Sequence, residues 1–136
     1  MEAIIEHQGG VQFAVSTRGH RLLIDQPVES GGRDGGMTPP ELLLASLGAC
    51  AAHYAAEYLR ARSLPAEGLL VRVTAEKALQ PARLTEFHID VEVPPLEDLR
   101  HQEGILRAVR RCLVHNTLHH APAIDVRLLT VAAAAV

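Results

Sequence analysis

Residues 38–52 constrain this chain more than any other stretch. Thr38-Pro39-Pro40-Glu41 combines an N-cap threonine, prolines in the first helical turn and a glutamate at the third helical position. That is the pattern of a capping box at a helix start. The run behind it, Leu42 to Ala52, is apolar or small on every face of the helix it predicts. Such a helix is enclosed on all sides and not laid on a surface. Ala45, Ser46, Gly48, Ala49, Ala51 and Ala52 leave room for other backbone to pack very close. The helix is expected to run to about Arg62, ahead of Ser63-Leu64-Pro65.

Strand patterns surround it. Ala3–His7 and Val11–Thr17 are separated by Gly9-Gly10, a hairpin signal. Arg18-Gly19-His20 then turns into Arg21–Asp25. The loop from Glu29 to Met37 is too glycine-rich for regular structure, and loops of this kind often carry function. After Gly68, Val71, Val73 and Ala75 alternate with Arg72, Thr74 and Glu76. Phe87, Ile89, Val91 and Val93 alternate in the same way with His88, Asp90 and Glu92. Both stretches read as half-buried strands. Pro94-Pro95 ends the second. A helix follows, with Leu99, Ile105, Leu106 and Val109 as its apolar stripe and a short helical turn near Val114–His119 behind it. Ile124–Val131 reads as a last strand and Ala132–Val136 as a frayed end. The order β-β-β-α-β-β-α-β groups strands instead of alternating them with helices. It predicts one α+β domain over residues 1–136 with antiparallel sheets.

At 48% hydrophobic and only 3% aromatic residues, the chain must build its core from Leu, Val, Ile and Ala. A formal net charge of −3 gives no electrostatic reason for nucleic acid or an anionic membrane as partner. Met1 to Gly10 lacks the apolar core of an export signal, and Leu42–Ala52 is too short to span a bilayer. Two cysteines in such a chain are expected to be reduced, in a cytoplasmic protein.

Four residues are candidates for chemistry, each beside a plainer reading. Cys50, three turns inside the central helix, is a reactive thiol or a small buried hydrophobe. The helix dipole has faded at that depth, so activation needs a cation from elsewhere. Cys112 follows Arg110 and Arg111, which would lower its thiol pKa. Cys112, His115 and His119 also have a spacing that can gather zinc, although no second cysteine cluster accompanies them. Arg33, on the glycine-rich loop, can swing over a thiolate or stand in solvent. Glu41, on the helix face opposite Cys50, is accounted for by the cap alone.

Taken in order, these residues resemble a known family. Gly36-Met-Thr-Pro-Pro-Glu-Leu-Leu-Leu-Ala-Ser-Leu-Gly-Ala-Cys50 resembles the first OsmC/Ohr signature, and Arg111-Cys-Leu-Val-His-Asn-Thr-Leu118 resembles the second. The resemblance implies an OsmC-like fold and an intertwined homodimer whose central helices pack together inside the sheets. It implies active sites at the dimer interface and no cofactor. Cys50 would attack a hydroperoxide and Cys112 would resolve the sulfenic acid as a disulfide, which an external dithiol reopens. Arg33 could serve as the activating arginine, Glu41 stands one residue beyond the place of its usual glutamate partner, and residues such as Leu43, Leu47 and Leu113 would line an apolar pocket. The chain departs from the peroxidase branches at Pro40, where a glutamate is usual, at Gly9-Gly10-Val11, which lacks an arginine, and at Leu113, where proline is usual. These departures place it with the broader OsmC-like group. They also open a second reading: a dimeric binding or redox-sensing module with little turnover.

Overall fold

The structure is a computed structural model and describes residues 1–130. Its longest element, helix α1 (Pro39–Arg60), starts where the capping box predicts. The Thr38 main-chain N–H donates to Glu41 Oε2 at 2.7 Å, and the Glu41 N–H donates back to Thr38 Oγ1 at 3.4 Å. Two otherwise orphaned donors are thereby satisfied. At the far end Leu64 N–H closes on Leu59 O, and Ser63 takes a positive φ of 55°. The helix therefore stops two residues short of the expected Arg62.

Leu47, Ala51, Ala55 and Leu59 recur every four residues and form the buried row of α1. They pack on Ile105 and Val109 of helix α2 (Arg100–Val109). Gly104 allows that approach, because a Cβ there would collide with the Tyr58 ring. A hairpin covers the same side. Strands β4 (Leu70–Leu79) and β5 (Ala82–Glu92) pair antiparallel, with Val71 opposite Val91 and Val73 opposite Ile89. Their alternate residues face α1, as the period of two predicts. By length and composition α1 also suffices to cross a membrane, but here its apolar row is the core of the domain.

The chain opens with an antiparallel meander: β1 (Ile4–Gly9), β2 (Gln12–Thr17) and β3 (His20–Ile24). Arg18 and Gly19 both have positive φ between the paired Thr17 and His20, the geometry of a two-residue type I′ hairpin. The register puts Ile5, Phe13, Val15, Leu22 and Ile24 on one face of this sheet. No helix packs substantially on that face, and Ile5 and Leu22 remain 56% and 41% exposed.

The architecture is α+β with two antiparallel sheets, as expected. Two expectations need correction. Within this chain α1 is not enclosed on all sides: Ala45, Ser46, Ala49 and His53 lie exposed on the face opposite Leu47 and Ala51. The strand expected over Ile124–Val131 does not form either. Residues 121–130 carry no regular structure, and Ile124, Val126 and Leu128 are more than 80% exposed. A strand needs a backbone partner to satisfy its N–H and C=O groups, and this chain pairs none with the segment. Val131 and the tail Ala132–Val136 lie outside the described residues.

Candidate active site

Helix α2 ends at Val109, and the chain turns through Arg110 and Arg111 into a third helix, α3 (Leu113–His119). Cys112 is the N-cap of α3, with extended backbone (φ −55°, ψ 132°). Its sulfur does the work a serine oxygen does in that position, accepting the His115 main-chain N–H at 3.5 Å. Packing of α3 on α1 presses this sulfur against the middle of α1. There the two thiols face each other closely enough to influence one another's ionisation, and both are free.

Their environments differ. Cys50 is half-buried, whereas Cys112 is fully buried. Burial pushes the Cys112 thiol pKa up, and the neighbouring Cys50 thiol adds to this. The N–H groups of His115 and Val114 oppose the shift without reversing it. The expected lowering by Arg110 and Arg111 is therefore overturned: both arginines are exposed, and desolvation wins.

Between α1, β5, α2 and α3 lies a cavity of about 550 Å³, whose wall includes neighbours of both cysteines but neither cysteine itself. Leu47, Phe87, Ile89, Val91, Leu106 and Val109 give it apolar walls, while Arg110, His115 and His119 line its polar part. Of the expected lining residues Leu47 is present, but Leu113 points outward at 63% exposure and Leu43 is not part of the wall. The Nδ1 of His115 is buried with no hydrogen-bond partner. Its ring lies 4.9 Å from that of His119, centroid to centroid. Among the described residues no group of three His, Cys, Asp or Glu side chains has metal-site geometry.

Arg33 and Glu41 lie elsewhere in this chain. Glu41 is held by the cap, its carboxylate also accepting from Thr38 Oγ1 at 2.9 Å, and these bonds lower its pKa. Nine residues of helix separate it from Cys50, about 13 Å along the axis. Arg33 sits with Gly9, Gly10 and Gln12 around a small surface cavity at the meander. Among the described residues its guanidinium makes no hydrogen bond or ion pair.

What holds Arg33 there is Asp25, which the sequence reading did not single out. This fully buried carboxylate accepts from Gln12 Nε2 (2.9 Å) and from the main-chain N–H groups of Gln26 (2.8 Å), Arg33 (3.1 Å) and Gly35 (2.9 Å). Led by the Gln12 bond, they lower its pKa to about 2. Gly32 is required where the loop folds over: a Cβ there would collide with the Gln26 carbonyl and lie 2.8 Å from Asp25 Oδ1. An aspartate closing a strand just before a glycine-rich loop was the available signal.

A reduced thiol pair, one member capping a helix and the other inside the central helix of an α+β domain, defines a dithiol protein with an adjoining apolar cavity. The OsmC-like protein family model matches residues 31–127, and the chain belongs to that family. Solved structures share the fold. One, from Psychrobacter arcticus and described in terms of osmotic stress induction and a detoxification response, aligns at TM-score 0.77 with 22% identity over 85% of each chain. An OsmC-like protein from Mycoplasma pneumoniae aligns at 0.72 with 22% identity, over 88% of this chain and 86% of its own. An organic hydroperoxide resistance protein from Elizabethkingia anophelis aligns at 0.59 with 20% identity, over 88% and 87%. Comparison with curated protein sequences gives no match.

Proposed function

We propose that this protein is a thiol peroxidase that reduces organic hydroperoxides, with Cys50 as the attacking sulfur and Cys112 as the resolving one. The observation that carries this reading is the contact between two reduced thiols of unequal exposure. The half-buried Cys50 can meet a peroxide beside the apolar cavity, while the buried Cys112 can meet only Cys50. The Cys50 thiolate attacks the distal peroxide oxygen, the O–O bond breaks, and the alcohol leaves with a proton. Cys112 then displaces the hydroxyl of the Cys50 sulfenic acid as water, forming a disulfide. An external dithiol, available in the cytoplasm, returns both thiols by exchange.

In this reading the working unit is a homodimer. The open apolar face of the meander and the bare side of α1 are the surfaces a second copy would cover. Arg33, with its guanidinium free and its backbone fixed by Asp25, is the cation we assign to activating Cys50 across that interface. Glu41 contributes through the cap of α1.

Peroxide treatment should produce a Cys50–Cys112 disulfide within one chain, read by mass spectrometry as the loss of two hydrogens. Cys50→Ser should abolish turnover, Cys112→Ser should leave a single burst, and Arg33→Ala should slow the first step. Independent overoxidation of the two cysteines would defeat the two-thiol mechanism. The distance of Arg33 and Glu41 from Cys50 within one chain favours a second reading, a redox sensor or binder. Steady-state consumption of cumene hydroperoxide with a dithiol separates the two, because a sensor is oxidised once and stops.

A further inference from the structure

Disulfide closure requires Cys112 to lose a proton as its sulfur attacks, and a leaving group that departs as an anion, such as an aromatic thiolate, does not take that proton up. The sulfur is fully buried, and its partners are the Cys50 thiol and two main-chain N–H groups. None of these is a base in the resting protein. One candidate is the residue whose amide touches the sulfur: His115, its main-chain N 3.5 Å from Cys112 Sγ. Its Nδ1 is buried and unpartnered, although buried polar atoms are almost always satisfied. An imidazole left open in this way is available to take up a proton.

The rest of the cavity does not compete for that role. The α1 and β5 residues that line it, Leu47, Phe87, Ile89 and Val91, are all apolar. The other charged or titratable groups in its wall are Arg110 and His119. Arg110 cannot accept a proton, and its positive charge discourages a lasting imidazolium nearby. The His119 ring, 4.9 Å from that of His115 and tilted by 52°, belongs to an exposed residue. The pair sits one helical turn apart on α3, with His115 next to the capping sulfur in the chain and His119 on the exposed side.

We propose that His115 is the proton-transfer residue for Cys112, taking the thiol proton as that sulfur attacks oxidised Cys50 and passing it through His119 to solvent. The Cys112 S–H bond breaks and its electron pair forms the S–S bond. The Cys50 S–O bond breaks, and the departing hydroxide takes a proton from solvent to become water, which balances the proton released through His119. When a dithiol reopens the disulfide, the same rings return a proton to Cys112. The peroxide form of this step rests on the proposed function. The transfer itself applies to any Cys50 adduct that Cys112 displaces.

That generality supplies the test. An aromatic disulfide reagent, dithiobis(nitrobenzoate), releases one coloured thiolate on reaction with Cys50 and a second when Cys112 closes on the adduct. His115→Gln should leave the first release unchanged and slow the second roughly 100-fold. Added imidazole should restore part of the rate in His115→Ala, which a structural role would not permit. An unchanged second phase in His115→Gln, or a slowed His115→Ala that imidazole does not rescue, overturns the proposal. So does a wild-type protein that shows no second phase. If circular dichroism shows both His115 variants unfolded, His119→Gln on the exposed side of α3 decides: a slowed second phase supports the relay and an unchanged one overturns it. A wild-type protein that closes on the reagent at an His115-dependent rate but turns over no peroxide would sink the peroxidase reading and keep the relay.

Discussion

At Asp25 four donors converge on one buried carboxylate, and two of them are main-chain amides of the loop that carries Arg33. The loop is thus folded around a charge. Its pKa of about 2 lies below the ordinary aspartate value of 3.8, so the folded state favours the ionised form. Asp25 therefore contributes stability that is fully present above about pH 4 and is lost as pH falls toward 2. Asp25→Asn keeps the shape but cannot accept from all four donors. Its thermal midpoint should be lower than wild type at neutral pH and should vary less between pH 4 and 2; parallel pH profiles would contradict this account. The two cysteines were legible in the sequence because each sits in an extended motif. Asp25 was legible only as an aspartate closing a strand before a glycine-rich loop, since nothing local announces that Gln12, thirteen positions earlier, folds back onto it.

Helix α1 shows the opposite case, where local chemistry says nearly everything. Its start was readable from Thr38 and Glu41 because both halves of the box lie within four residues. Thr38→Ala should cost about 0.5–2 kcal/mol in denaturant unfolding. Glu41→Gln retains a side chain that can complete the box and should change neither stability nor peroxide turnover by more than about twofold. A large loss of turnover in a stable Glu41→Gln protein would restore the carboxylate to the chemistry. The last strand was misread for a related reason. Ile124, Val126 and Leu128 carry the right alternation, but alternation describes a face and says nothing of the backbone partner a strand requires. Helix α3 adds a practical point: serine caps a helix at least as well as the Cys112 sulfur does. Cys112→Ser should therefore remove the second thiol while leaving α3 intact.

For the molecule as a whole, the telling feature is what this chain leaves uncovered. Ile5, Phe13, Val15, Leu22 and Ile24 share one face of the meander, and no helix of the same chain lies on it. The run from Leu42 to Ala52 suggested a helix covered all round, and within one chain it is covered on one side. The sequence could record the need for cover without recording what supplies it. Sedimentation equilibrium is expected to give twice the chain mass of 14.7 kDa. Leu22→Asp, which puts a charge into the apolar face, should shift the protein toward monomer and reduce turnover together. A stable wild-type monomer with full activity would rule the dimer out. In the proposed dimer the apolar surface is completed by another copy, which makes folding a mass-action problem. The melting temperature should then rise with protein concentration, and dilution alone should switch the thiol chemistry off without altering a single residue.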